Sequence, residues 1–268
     1  LRHPRQVTTV IPKSKEVNGK VLIKWGVDET HVLKNLNINV PSPINGRYGW
    51  PGQHTPFKHQ KSTAAFMTMN RRAFCFNEQG TGKTASAIWA SDFLMKQGAI
   101  KRVLVICPLS IMDSAWRSDL FSFAMHRSVD IAYGSADKRR KIISGGAEYV
   151  IINYDGVAIV ADAIANGGFD LIIADEATHY KNVQTTRWKN LNKILKPETW
   201  LWMMTGTPAA QSPLDAYGLA KLINPTGVPR FFGSFRDMVM YKISNFKWVP
   251  KDSAVDTVFN ALQPAIRY

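Results

Sequence analysis

Ala73-Phe74-Cys75-Phe76 runs directly into Asn77-Glu78-Gln79-Gly80-Thr81-Gly82-Lys83-Thr84, and that stretch into Ala85-Ser86-Ala87-Ile88. An apolar run, a loop with two glycines and a run of helix formers read as strand, turn and helix in immediate succession. Gly80 and Gly82 let the backbone turn tightly and aim its N–H groups inward, and the helix N-terminus adds a partial positive charge, so the loop suits a phosphate. In that setting Lys83 reaches β and γ phosphates and Thr84 holds Mg²⁺. The spacing departs from the common phosphate loop, because Asn77 stands where a leading glycine is expected. Taken alone, the stretch also fits a glycine turn with a solvated lysine.

Outward from this unit the chain keeps the same alternation. Val103 to Ile106, Val129 to Ala132, Tyr149 to Ile152, Leu171 to Ala174 and Leu201 to Met204 read as further strands, several of them apolar throughout, as in sheets covered on both faces. Helical stretches fall between them, among them Thr84 to Lys96, Met112 to Met125 and Thr186 to Leu195. The pattern predicts an α/β fold with a mainly parallel central sheet flanked by helices, whose chemistry sits in the loops after the strands. Pro41 to Pro56 collects four prolines and three glycines and marks a linker or ordered loop. We therefore divide the chain into residues 1–56, a small strand-containing extension with that linker, and residues 57–268, the main domain. Helices around Phe231 to Met240 and Ala254 to Leu262 close the chain.

A second loop carries carboxylates. Phe169-Asp170-Leu171-Ile172-Ile173-Ala174 ends in Asp175-Glu176-Ala177-Thr178, two acids just past a buried strand. Asp175 is placed to coordinate Mg²⁺, and Glu176 to orient and deprotonate a water attacking the γ phosphate. A helix start favoured by its acids is the plainer alternative.

Composition bounds the rest. Lysine and arginine number 34 against 20 aspartate and glutamate, a formal charge of +14 that favours a polyanionic partner. The longest apolar runs fall far short of a membrane span. The start, Leu1 to Pro12, has no secretory apolar core, and we expect an intracellular protein, trimmed at its N-terminus since it lacks Met. Cys75 and Cys107, each in an apolar run, are expected as buried thiols rather than disulfide partners or metal ligands. Trp89, Trp116 and Trp188 sit in helical stretches and are expected in the core rather than against bases. Lys138-Arg139-Arg140-Lys141 fits a phosphate clamp or a solvated helix face equally.

Several of these segments, in this order, resemble superfamily 2 helicases and, within them, Swi/Snf-type DNA translocases. Glu78 to Thr84 resembles their motif I, Val103 to Ser110 with Trp116 motif Ia, Asp175 to Thr178 the DEAD/DEAH box with Lys181-Asn182 behind it, and Met204-Thr205-Gly206-Thr207-Pro208 motif III. Phe57-Lys58-His59-Gln60 resembles the upstream segment whose glutamine reads adenine, and Leu262 to Tyr268 the segment that closes the first lobe. Thr178 stands where the DEAH form has His, and His179 after it is read as a local hydrogen-bonding residue.

The resemblance implies a RecA-like P-loop lobe that hydrolyses ATP to ADP and phosphate with Mg²⁺. ATP contacts fall on Gln60, Glu78, Gln79, Gly80, Thr81, Gly82, Lys83 and Thr84, with Lys83, Asp175 and Glu176 catalytic and Thr84 and Asp175 on the metal. Nucleic acid, duplex DNA in first place, is expected at Pro108, Leu109, Ser110, Asn153, Tyr154, Thr205 and Gly206, with Thr205, Gly206 and Thr207 coupling the two sites. The same resemblance implies a second lobe supplying an arginine finger, without which turnover is weak. Rival readings are a nucleotide-dependent switch without useful hydrolysis and a P-loop kinase.

Overall fold

The computed structural model describes residues 4–209, 211–244 and 247–268. At the N-terminus a helix, Pro4–Val10, precedes a hairpin of β1 (Lys15–Val17) and β2 (Lys20–Leu22), turned by Asn18-Gly19, both with positive φ. A helix over Val27–Asn35, not foreseen from the sequence, follows. Val7, Ile11 and Leu33 give this extension a small core of its own.

The Pro/Gly segment is ordered and docked. Ile44 and Tyr48 are buried in the main core, the indole N–H of Trp89 donates to Pro51 O at 2.9 Å, and the Tyr48 hydroxyl donates to Asp92 at 2.7 Å. Proline and glycine here shape a strap over the helix Lys83–Lys96, which is why that helix is buried along nearly its whole length instead of presenting a polar face.

Behind it stands the sheet. Its strands are β3 (Arg72–Cys75), β4 (Val103–Cys107), β5 (Val129–Ile131), β6 (Tyr149–Asn153), β7 (Leu171–Asp175) and β8 (Trp200–Met204). A small hairpin, β9 (Met240–Lys242) with β10 (Trp248–Pro250), stands apart, and β11 (Ala265–Ile266) returns to the sheet. The order is β11-β3-β8-β7-β4-β6-β5, with every neighbouring pair parallel. All six strands expected from the sequence are present, as the α/β reading requires, and β11 is an addition.

The side-chain period of two sorts each strand between two cores. Phe74, Leu104, Ile106, Val150, Ile152, Ile172, Leu201 and Met203 face one layer of helices. Cys75, Val103, Val105, Tyr149, Ile151, Leu171, Ile173 and Trp202 face the helices Lys58–Thr68 and Lys83–Lys96 on the other side. Both faces are covered, so the strands read as continuous apolar runs, and each large side chain so buried contributes roughly 1.5–3 kcal/mol.

Candidate nucleotide site

β3, β8, β7, β4 and β6 end at the same edge of the sheet, as parallel pairing requires, and the predicted loops emerge there side by side. Gly80 and Gly82 both adopt the left-handed region, φ +76° and +75°, and Gly82 caps the helix Lys83–Lys96. Lys83 curls over the loop, its Nζ donating to Asn77 O at 2.9 Å and Glu78 O at 3.1 Å. Thr84 lies in the first turn, partly exposed, and Glu78 and Gln79 are exposed at the rim. Thr81 turns its hydroxyl to Glu78 O and offers its carbonyl to two donors, His59 Nε2 at 2.9 Å and Gln60 Nε2 at 3.2 Å.

Gln60 is thus committed to the loop, with its Oε1 accepting from Phe57 N at 2.9 Å. An adenine reading its amide would have to exchange these bonds. Asn77, at the position of the leading glycine, is wholly buried and donates to Thr63 Oγ1 at 2.8 Å. Asparagine there ties the loop to the helix that carries His59 and Gln60, a contact a glycine could not make.

Asp175 ends β7 only 7% exposed. Burial pushes its carboxyl above the usual carboxylate range, against the opposing pull of the Trp116 N–H, the Glu176 N–H and the Lys83 charge. The phosphate loop after β3 and the acidic loop after β7 leave the same sheet edge with only β8 between their strands. Glu176 is partly exposed and holds φ +50°, a left-handed conformation rare for a side chain with a Cβ and common at functional loops.

The residues expected on nucleic acid divide. Leu109 and Ser110 are exposed beyond β4, with Pro108 partly so, and Gly206 is partly exposed beyond β8. Tyr154 corrects the sequence reading: it is 6% exposed, its hydroxyl donates to Asp175 O, and its ring packs on His179 and Tyr180. The chain enters a helix, Tyr154–Ile159, at that very residue and turns the phenol inward. Thr205 is likewise wholly buried, so its hydroxyl is out of reach of a phosphate; its Oγ1 accepts from Thr207 N at 3.3 Å and its N–H donates to Cys75 O, which ties the β8 loop to β3. Thr207 is exposed. Asn153 is partly exposed, with Oδ1 held by Arg139 Nη1 at 3.0 Å.

Arg139 itself departs from both readings of the basic run. It is 5% exposed and donates to Ala132 O, Gly134 O and Asn153, whereas Lys138 and Lys141 face outward. Two further contributors lay outside the sequence reading of the site: the Trp116 indole on Asp175, and the C-terminal backbone, where Glu78 N donates to Tyr268 O at 3.0 Å beside the phosphate loop. Trp116, which follows the segment resembling motif Ia, was the available signal for the first, and nothing local marks the second.

A family model described as the SNF2-related domain matches residues 59–261. Protein p41 of Acyrthosiphon pisum secondary endosymbiont phage 1 is 27% identical over 180 residues, covering 63% of this chain and 39% of its own length. The SWI/SNF-related matrix-associated actin-dependent regulator of chromatin subfamily A-like protein 1 of Xenopus laevis is 28% identical over 188 residues, covering 67% of this chain and 18% of its own. The Sulfolobus solfataricus SWI2/SNF2 ATPase core in complex with dsDNA superposes with a TM-score of 0.70 at 20% identity, over 82% of this chain and 45% of that one, a likeness of fold. The chain thus spans less than half the length of each. With the ordered motifs at one sheet edge and the family model over most of its length, the chain belongs to the SNF2-related family.

Proposed function

We propose that the chain is the ATP-binding first lobe of a motor that couples ATP hydrolysis to movement on duplex DNA. The observation that carries this is the convergence of Lys83 and Asp175 at one sheet edge, with the Thr205-Gly206-Thr207 loop on β8 between their strands. Family membership supports an ATP hydrolase, and the formal charge of +14 together with the dsDNA held by the Sulfolobus core supports DNA as partner. Residues 57–268 form the lobe in this reading, with Ile44 to Pro51 strapped onto it. We place the protein in a DNA-bearing, reducing compartment, which suits its two buried thiols.

Lys83 would release the Asn77 and Glu78 carbonyls and take phosphate oxygens in their place. Thr84 and Asp175 are hard oxygen donors that fit Mg²⁺, which when bound neutralises charge on the β and γ phosphates. Glu176 would orient the attacking water and accept its proton. Leu109, Ser110 and Gly206 would line the DNA backbone, chiefly through main-chain N–H groups. An arginine from a second lobe would complete the charge stabilisation, so this chain by itself should turn over slowly.

The test is steady-state ATP hydrolysis with and without duplex DNA, by this chain and by a longer chain that includes the second lobe. We expect DNA-stimulated turnover in the longer chain, abolished by Glu176→Gln. Nucleotide binding with no turnover in either chain would favour a switch over a motor, and stimulation by a small acceptor in place of DNA would favour a kinase.

A further inference from the structure

Asp175 does not stand free at the end of β7. Its Oδ2 accepts from the Trp116 indole N–H at 2.9 Å, its Oδ1 from Glu176 N at 3.0 Å, and its main-chain carbonyl from the Tyr154 hydroxyl. Trp116 is 0% exposed and lies in Met112–Arg117, a π-helical segment between the 3-10 turn Leu109–Ile111 and the α-helix Ser118–Phe123. Such π segments are rare and cluster at functional sites. Here the π-helical segment carries the indole to the carboxylate, while Leu109 and Ser110, in the 3-10 turn before it, stay at the surface. An indole N–H only donates and a carboxylate only accepts, so this bond has one possible sense and fixes one oxygen.

Tyr154 is held in turn. Its ring lies 4.5 Å from that of His179, and the Arg187 guanidinium, bonded to Asp155, sits 5.4 Å over it. Two segments distant in sequence therefore grip the same acid, one by its side chain and one by its main chain.

We propose that Trp116 and Tyr154 are positioning residues that fix the direction of the Asp175 carboxylate for a divalent cation at the nucleotide phosphates. The inference rests on the nucleotide reading of Lys83 and Asp175. A carboxylate that holds a cation must present a lone pair at a set angle, and losing the partners that orient such ligands costs metal affinity about 10–100-fold. A merely space-filling Trp116 would be replaced by Phe without effect on the cation.

Binding of a fluorescent ADP analogue, titrated against Mg²⁺ and repeated in EDTA, separates these cases. Trp116→Phe should raise the half-saturating Mg²⁺ by about 10-fold, and Tyr154→Phe should shift it in the same direction by a smaller factor. Affinity in EDTA should stay at the wild-type value. Trp202→Phe is the control: it too deletes a buried indole N–H, one that donates to Asn70 O at 3.0 Å. A Trp116→Phe midpoint equal to that of wild type or of Trp202→Phe overturns the inference alone. If Trp116→Phe melts below the assay temperature, Tyr154→Phe decides, and a wild-type midpoint there overturns it. No Mg²⁺-dependent nucleotide binding by wild type would overturn the nucleotide reading and this inference with it.

Discussion

Gly80 and Gly82 offer a matched pair of substitutions. Their φ values differ by one degree, so alanine at either meets the same left-handed penalty, about 1–2 kcal/mol. Their surroundings differ completely. A Cβ at Gly80 meets nothing within 4 Å, whereas one at Gly82 overlaps the Gln60 amide nitrogen. Gln60 must then move, giving up its bonds to Thr81 O and from Phe57 N, at about 1 kcal/mol each. Gly80→Ala should therefore cost about 1–2 kcal/mol and Gly82→Ala about 3–4 kcal/mol. Urea denaturation of both variants, and of Gln60→Ala alone and combined with Gly82→Ala, measures the difference. The double variant should cost no more than Gly82→Ala alone, since the same two Gln60 bonds are lost in both. Equal losses at the two glycines, or strict additivity in the double variant, would refute the packing argument around Gln60.

Three further outcomes follow from the buried groups. Asp175→Asn keeps an acceptor for Trp116 but removes a carboxylate whose folded pKa is raised by burial; the destabilisation from its charge sets in as pH rises through the unfolded value and is full above the folded one. The variant should melt above wild type at pH 7 to 8 and lose that advantage toward pH 4, and an unchanged Tm at pH 8 would contradict a strained charge. Burial pushes Asp92 upward too, but donation from Tyr48, Arg127, His126 and Lys96 outweighs it and holds the carboxyl below its usual 3.8. Its stabilisation is thus present above that value and lost as pH falls through the lower folded one. Asp92→Asn should cost about 3 kcal/mol at neutral pH and progressively less in acid, read by denaturation between pH 3 and 7. Burial raises the Cys75 thiol to about 11 and Cys107 further, so neither should react with a thiol reagent until urea unfolds the chain; a fast native reaction would place one of them at the surface.

The sheet was legible because parallel strands covered on both faces are written as unbroken apolar runs, and glycine, acid or hydroxyl residues mark each exit at the carboxyl edge. β11 was not, since two residues after a proline carry no period; its place is set by pairing with Phe74 and Cys75, far away in sequence. The helix Val27–Asn35 buries only Val27, Thr30 and Leu33, too sparse a stripe to stand out.

Within the site, the glycine loop and the acidic pair were legible as candidates because each is a run of neighbouring residues at a strand exit, and the sheet order brings the two exits to one edge. Tyr154 and Arg139 were misjudged for the opposite reason. A tyrosine after a strand and an arginine in a basic run look solvent-facing, yet each is drawn inward by acceptors on other segments, Asp175 O in one case, Ala132 O and Asn153 in the other. Asn77 looked like a defect in the glycine loop and proves to be its tie to Thr63.

The central claim is that the β3 and β7 loops form a single nucleotide site. Calorimetric titration of the chain with Mg²⁺ and a non-hydrolysable ATP analogue, for wild type, Lys83→Ala and Asp175→Ala, tests it most directly. The account predicts one site per chain, lost in Lys83→Ala, and in Asp175→Ala weakened only when Mg²⁺ is present. Binding that ignores Lys83, or a loss in Asp175→Ala that is the same with and without Mg²⁺, would contradict it.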